Sequence, residues 1–204
     1  MARAEALEVV DRNKLLHLIR CHAILESEPG TFFTLAGGRR SQIYIDIKRA
    51  SMRSNVQMPL ASHLYGALAA FMPVDAVAGV VLGGCHLASL LALHASYVMA
   101  APVFDVLYIR KERSDHGLQN FVEGPILKGM RVVLCEDVVM TGGSSVKAIN
   151  RLRDVGCDVQ GVLAVIDRRR DTSGALPDGT KVRGLFTLDE LIYGPKGERA
   201  RSVE

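Results

Sequence analysis

Two adjacent carboxylates, Glu136 and Asp137, stand shortly ahead of a turn made of Thr141, Gly142, Gly143, Ser144 and Ser145. The turn's hydroxyls can donate hydrogen bonds, and its glycines let the backbone approach an anion. A helix starting there would present free N–H groups carrying partial positive charge. Those properties suit a phosphate. The paired acids do not, but two neighbouring carboxylates can accept bonds from two neighbouring hydroxyls. One ligand satisfies the whole stretch, a phosphorylated sugar with its phosphate on Thr141 to Ser145 and its diol on Glu136 and Asp137. The stretch lacks the Gly-Lys-Ser/Thr ending of a P-loop and the G-x-G-x-x-G spacing of a dinucleotide fold. An acidic strand end followed by a helix-capping turn is the plain alternative for any one of these residues.

Three further stretches carry charge or glycine where a ligand could use it. Arg110, Lys111, Arg113 and His116 crowd a segment that shows no apolar periodicity until Phe121-Val122. This predicts a long basic loop, suited to close over a diphosphate. A solvated charge run is the alternative. Gly83-Gly84-Cys85-His86 could grip a second anionic group, although a tight turn into a helix is the simpler reading. Arg168 follows the apolar run Val162 to Ile166, and a guanidinium at a strand end can hold a planar carboxylate bidentately.

The elements that must position these residues follow from periodicity. Val132 to Leu134, continued by Cys135, predicts a buried strand ending at the two acids, and Val146 to Asn150 continues the turn as a helix. Strands are expected at about 76–82, 103–109, 131–136 and 161–166, and helices at about 84–99 and 144–156. That alternation argues for an α/β fold with a mostly parallel sheet, whose ligands bind past the carboxyl ends of the strands. Ahead of it, helical spacing covers about 4–27, strands at 31–35 and 42–47 predict a hairpin around Gly37-Gly38, and helical spacing returns from about Asn55 to Phe71. Lys196 to Glu204 reads as a polar tail.

Composition fits a single soluble domain spanning 1–204. The chain has 204 residues, 49% hydrophobic and 23% charged, with a net charge of +3 that gives no argument for nucleic acid. Cys21, Cys85, Cys135 and Cys157 lie far apart and form no C-x-x-C pair, so they read as core residues of a reducing, cytoplasmic compartment. The charged N-terminus has no signal-peptide core. The run at about Leu87 to Val103 is interrupted by Ser89, His94, Ser96 and Pro102, which predicts no membrane span.

CEDVVMTGGSS resembles the phosphoribosyl diphosphate (PRPP) motif of type I phosphoribosyltransferases: an apolar run, two acids, a spacer and Thr-Gly-Gly-Ser. RKERSDHG is similar to the R-K-E-x-K-x-H-G loop of the orotate phosphoribosyltransferases within that group. FTLAGGRRSQIYIDIKR resembles that family's F-T-L-x-S-G-R-x-S-x-x-Y-x-D segment, and LFTLDEL its closing piece. The likeness covers roughly residues 10–193. It implies the type I phosphoribosyltransferase fold, with a small hood built from about 1–50 and 180–195. It further implies Mg²⁺-dependent transfer of phosphoribosyl from PRPP to orotate, in a homodimer whose 110–120 loop reaches the neighbouring site. On that resemblance the catalytic residues are Lys111, Arg113, His116 and Asp137. PRPP would lie on Arg110, Lys111, His116, Glu136, Asp137 and Thr141 to Ser145, and orotate on Arg168 and Thr141; no residue is assigned to the metal. Ser114 stands where the family has its second loop lysine, with Arg113 one position earlier. A purine-specific phosphoribosyltransferase and a catalytically weak nucleotide-binding regulator on the same fold are the alternatives.

Overall fold

The computed structural model describes residues 10–34, 38, 40–98, 103–112, 120–169 and 174–195. Six strands make the central sheet: β5 (Ala76–Val80), β6 (Asp105–Ile109), β7 (Val122–Glu123), β8 (Arg131–Val139), β9 (Asp158–Asp167) and β10 (Val182–Thr187). Their order is β10-β9-β8-β5-β6-β7, parallel throughout except for β7, which runs antiparallel to β6. β6 packs on one side of β5 and β8 on the other. The winding therefore reverses between β5 and β8, and the crevice beyond their carboxyl ends is where an α/β sheet of this kind holds its ligand.

Ahead of the sheet strands come α1 (Arg12–Ala23), β1 (Ile24–Glu26), the hairpin of β2 (Phe33–Thr34) with β3 (Arg40–Ser41), and β4 (Ile43–Ile45). Then come α2 (Ile47–Ser51) and α3 (Ser54–Leu68). Helix α4 (Gly83–Tyr97) links β5 to β6, α5 (Gly143–Asp154) links β8 to β9, and α6 (Leu188–Tyr193) closes the described chain. Each face of the sheet carries its own core. Val77, Val133 and Cys135 pack with α1, α3 and α4, whereas Ala78, Val132 and Leu134 pack with Ile149 and Leu152 of α5. Burial on both faces is why the strands read as continuous apolar runs without alternation. Burying each such Leu or Ile contributes about 1.5–3 kcal/mol.

Three expectations change. The predicted first helix stops at Ala23, because Ile24 to Glu26 pair antiparallel with Ile43 to Ile45; tertiary pairing of β-branched residues overrides helical spacing. The predicted strand 42–47 divides. Arg40 and Ser41 complete the hairpin, Ile43 to Ile45 turn to β1, and Asp46 caps α2 by accepting from the Lys48 N–H at 3.2 Å. Strand β8 also runs on through Val139, paired with β9 as far as Val139↔Asp167, so Glu136 and Asp137 lie inside the strand and not at its end.

The first and last described elements meet. Arg12 pairs with Glu190 at 2.8 Å, donates to the Leu185 carbonyl at 2.7 Å and stacks on Phe186 with its guanidinium 4.6 Å from the ring centroid. Thr187 and Glu190 form a reciprocal capping box on α6, Thr187 accepting from the Glu190 N–H at 3.2 Å and Glu190 accepting from the Thr187 N–H at 2.8 Å. Thr187→Ala removes an orphan donor's partner at the start of a helix too short to hold itself. A loss of about 1 kcal/mol in urea unfolding is expected, without loss of the sheet.

Candidate active site

Two very close approaches bring β5, the first turn of α4 and β8 together. A Cβ on Gly79 would fall 2.0 Å from the Gly84 carbonyl carbon, so β5 and the start of α4 touch main chain to main chain. A Cβ on Gly83 would fall 2.5 Å from an Asp137 carboxylate oxygen. The first turn of α4 and the acid of β8 thus share the crevice at the winding reversal. The Val81–Leu82 peptide just before α4 is cis. The Gly-rich segment, which by itself reads as a tight turn, lies directly against Asp137.

Strand alternation separates the two acids. Leu134 and Glu136 share the face covered by α5, and Cys135 and Asp137 the face covered by α4. Glu136 is only 7% exposed and accepts a 2.9 Å hydrogen bond from the Ser145 hydroxyl, itself 1% exposed. Burial pushes the Glu136 carboxyl up to about 7; the Ser145 hydrogen bond and the Lys111 charge pull it down, and Asp137 pushes it further up. Asp137 remains a quarter exposed, with Lys48 Nζ at 3.7 Å. The two acids therefore leave neighbouring positions of β8 toward opposite faces at one edge of the sheet.

The turn after β8 has the form the sequence suggests. Gly142 caps α5 with a left-handed backbone, φ 78°, and a side chain there would also meet Leu176. Thr141, Gly143 and Ser144 are exposed beside the first N–H groups of a 12-residue helix. Ser145 points inward to Glu136, so its hydroxyl belongs to the support of the turn.

Arg110 and Lys111 follow β6 and are exposed. Arg110 pairs with Glu123 at 2.9 Å. Arg113, Ser114 and His116 lie outside the described residues. Arg168 follows β9 and is half-buried; its N–H donates to the Val139 carbonyl at 2.8 Å, which ties the ends of β8 and β9 together. Asp167 is taken by the next arginine, Arg169, at 2.8 Å in a nearly dry pair. The Arg168 guanidinium approaches only the Met140 sulfur, at 3.9 Å, and has no carboxylate partner among the described residues. It is a fork without an acid, next to the phosphate turn.

Lys48 was not singled out from the sequence. Its ammonium bridges Asp46 at 2.9 Å and Asp137 at 3.7 Å, and the hydrogen bond to Asp46 raises its pKa. The signal available was its place directly after the Tyr44 to Asp46 segment of the family-like stretch. Among the described residues no group of three His, Cys, Asp or Glu side chains gathers as a metal cage. The cysteines form no disulfide, and burial pushes Cys135 up to about 12, which makes it an inert core thiol. No helix among the described residues is long and apolar enough to cross a membrane.

Comparison with known proteins decides the family. The phosphoribosyl transferase domain model matches residues 58–197. An orotate phosphoribosyltransferase of Sorangium cellulosum is 39% identical over 185 residues, covering 89% of this chain and 93% of that one. The chain belongs to the orotate phosphoribosyltransferase family. Among solved structures of that family, the Mycobacterium tuberculosis enzyme in complex with Fe(III) dicitrate superposes with a TM-score of 0.72 at 28% identity, covering 88% of this chain and 98% of that one. The same enzyme in complex with PRPP gives 0.66 at 26% identity, with 88% and 98% covered. The family's type I fold is the one described above, and the two arginines, the acids and the glycine turn fall at the carboxyl edge of its sheet.

Proposed function

We propose that this chain transfers phosphoribosyl from PRPP to orotate, giving orotidine 5'-monophosphate and diphosphate on the way to UMP. The observation that carries the reading is the shared crevice. Asp137 and the first turn of α4 meet where the sheet's winding reverses, the glycine turn opens α5 just past the end of β8, and the cations that follow β6 and the acid-free Arg168 stand at the same edge. The ribose phosphate lies on the N–H groups and hydroxyls of Thr141 to Ser144, with Ser145 bracing the turn from below. Asp137 accepts from a ribose hydroxyl, and Glu136 supports the turn and the far hydroxyl from the other face. Arg168, with Thr141, orients orotate through its carboxylate.

In the reaction the C1'–O bond to diphosphate breaks and the electron pair leaves with the diphosphate. The orotate N1 lone pair closes on C1', and the N1 proton is released. Positive charge grows on the sugar near Asp137, and negative charge on the leaving group, where Arg110, Lys111, Arg113 and His116 would receive it. Mg²⁺ would suit a site with no protein cage among the described residues, since diphosphate and hydroxyl oxygens are the hard donors it prefers. When bound it would neutralise the diphosphate. A homodimer in the cytoplasm, with the 110–120 loop reaching its neighbour, completes the reading. Leu93 and Tyr97, one turn apart on α4 and 56% and 84% exposed, are an apolar face suited to a second copy.

The test is direct. Purified protein with PRPP, Mg²⁺ and orotate should consume orotate, followed by its ultraviolet absorbance. PRPP binding without orotate loss would instead indicate a regulator, and turnover of adenine or hypoxanthine a purine enzyme.

A further inference from the structure

Arg151 lies on α5, two turns beyond the glycine turn and on the same helix. Its guanidinium does not face solvent as an ordinary surface arginine's would. One terminal nitrogen donates to the Arg110 carbonyl, and the other to the Lys111 carbonyl at 2.9 Å. Its central carbon sits 4.0 Å from the centroid of the Phe121 ring. The Arg110 N–H donates back to the Phe121 carbonyl at 2.8 Å, and the Arg110 side chain is held by Glu123 at 2.9 Å. One side chain therefore touches both the segment that leaves β6 and the segment that returns into β7. It does so with two guanidinium nitrogens on consecutive carbonyls, an arrangement that a planar fork supplies.

We propose that Arg151 is a positioning residue, fixing the backbone of Arg110 and Lys111 to the phosphate-binding helix. The inference rests on the assignment of Arg110 and Lys111 to the diphosphate. Helix α5 then bears on both ends of PRPP across the proposed dimer, on the phosphate of its own site and on the diphosphate at the neighbouring site that the 110–120 loop reaches. Its first turn receives the ribose phosphate, and Arg151, eight residues and about 12 Å further along at 1.5 Å per residue, sets where the diphosphate cations stand. A misplacement of binding groups by about 1 Å can cost about a hundredfold. Arg151 touches no reacting atom in this arrangement, so its effect passes through Lys111 and Arg110.

The role separates the two ends of the ligand, and so does the experiment. Titration calorimetry of the full chain is run with two probes, inorganic diphosphate with Mg²⁺ and ribose 5-phosphate. Arg151→Ala should weaken diphosphate binding by about ten- to a hundredfold and leave ribose 5-phosphate within about twofold. Arg151→Lys can restore one carbonyl contact but neither the fork nor the stacking, and should fall between. Arg151→Gln, which keeps the helix and a donor, guards against a variant that fails to fold. Diphosphate affinity unchanged in Arg151→Ala overturns the proposal, and so does an equal loss for both probes, which would make Arg151 a general support of α5. Wild-type protein that binds both probes but consumes no orotate defeats the proposed reaction and leaves the Arg151 role readable from the two affinities. Wild-type protein that binds no diphosphate defeats both.

Discussion

Asp137→Asn is expected to lower kcat/KM for PRPP by about 10²–10³, the cost of removing one preorganised charge from a site where the opposite charge develops. The substitution is chosen to keep the fold. Asp137 Oδ1 accepts from its neighbour's N–H, on Val138, at 2.8 Å, and an amide oxygen can accept the same bond. The side chain is a quarter exposed, so no buried charge pair is left broken, and stability should move by about 0.5 kcal/mol or less. What disappears is the negative charge in the crevice. The sugar carries positive charge only in the transition state, so the loss should fall mainly on kcat and less on KM. Steady-state kinetics with PRPP varied at saturating orotate measure it. A variant within tenfold of wild type would remove Asp137 from the ribose and, with it, the crevice reading.

The parts of this molecule legible in its sequence are those fixed by local pattern. Val132 to Cys135 reads as a strand because both sheet faces bury it, and Gly142 reads as a turn because only glycine accepts its left-handed backbone without cost. The alternation of strands and helices from residue 76 to 166 gives the parallel sheet, and the ligand edge follows from topology alone. Residues set by long-range contact are less legible. The two-residue β7 and the edge strand β10 are too short or too mixed to announce themselves, and they exist because β6 and β9 offer them backbone partners.

The facing of the two acids shows the limit most clearly. Adjacent carboxylates in a motif invite a reading in which both grip one ligand. A strand that runs on past them sends neighbours to opposite faces, and only the register with β9 says that β8 does run on. Lys48 and Arg151 were hidden for the same reason. Each looks like a solvated cation in its own helix, and each acquires a role from a segment distant in sequence, Asp137 for one and Arg110 to Phe121 for the other.

Stability should fall as pH rises from about 4.5 to about 7, by about 3 kcal/mol from Glu136 alone. The sign follows from where the proton sits. In the unfolded chain the carboxyl releases its proton near 4.5. In the folded chain, buried against α5 with Ser145 as its hydrogen-bond donor, it holds on until about 7. Between those values the folded state binds the extra proton, so its advantage is complete below 4.5 and gone above about 7. Two histidines, the half-buried His22 and the buried His94, work the other way. Burial lowers the pKa of both His22 and His94, so the unfolded chain takes up their protons first as pH falls and stability there rises with pH. The depressed carboxyls of Asp75, Asp178 and Glu190 titrate below the window. The clean measurement is therefore a difference. Glu136→Gln has no proton to lose, and its amide oxygen can still accept from the Ser145 hydroxyl. Urea unfolding of both proteins from pH 4.5 to 8 should show the variant gaining on wild type as pH rises, the difference between them moving by about 3 kcal/mol in its favour by pH 8. Parallel curves would mean that the Glu136 carboxylate is in contact with water in the folded chain and that the seal made by Ser145 and α5 does not exist.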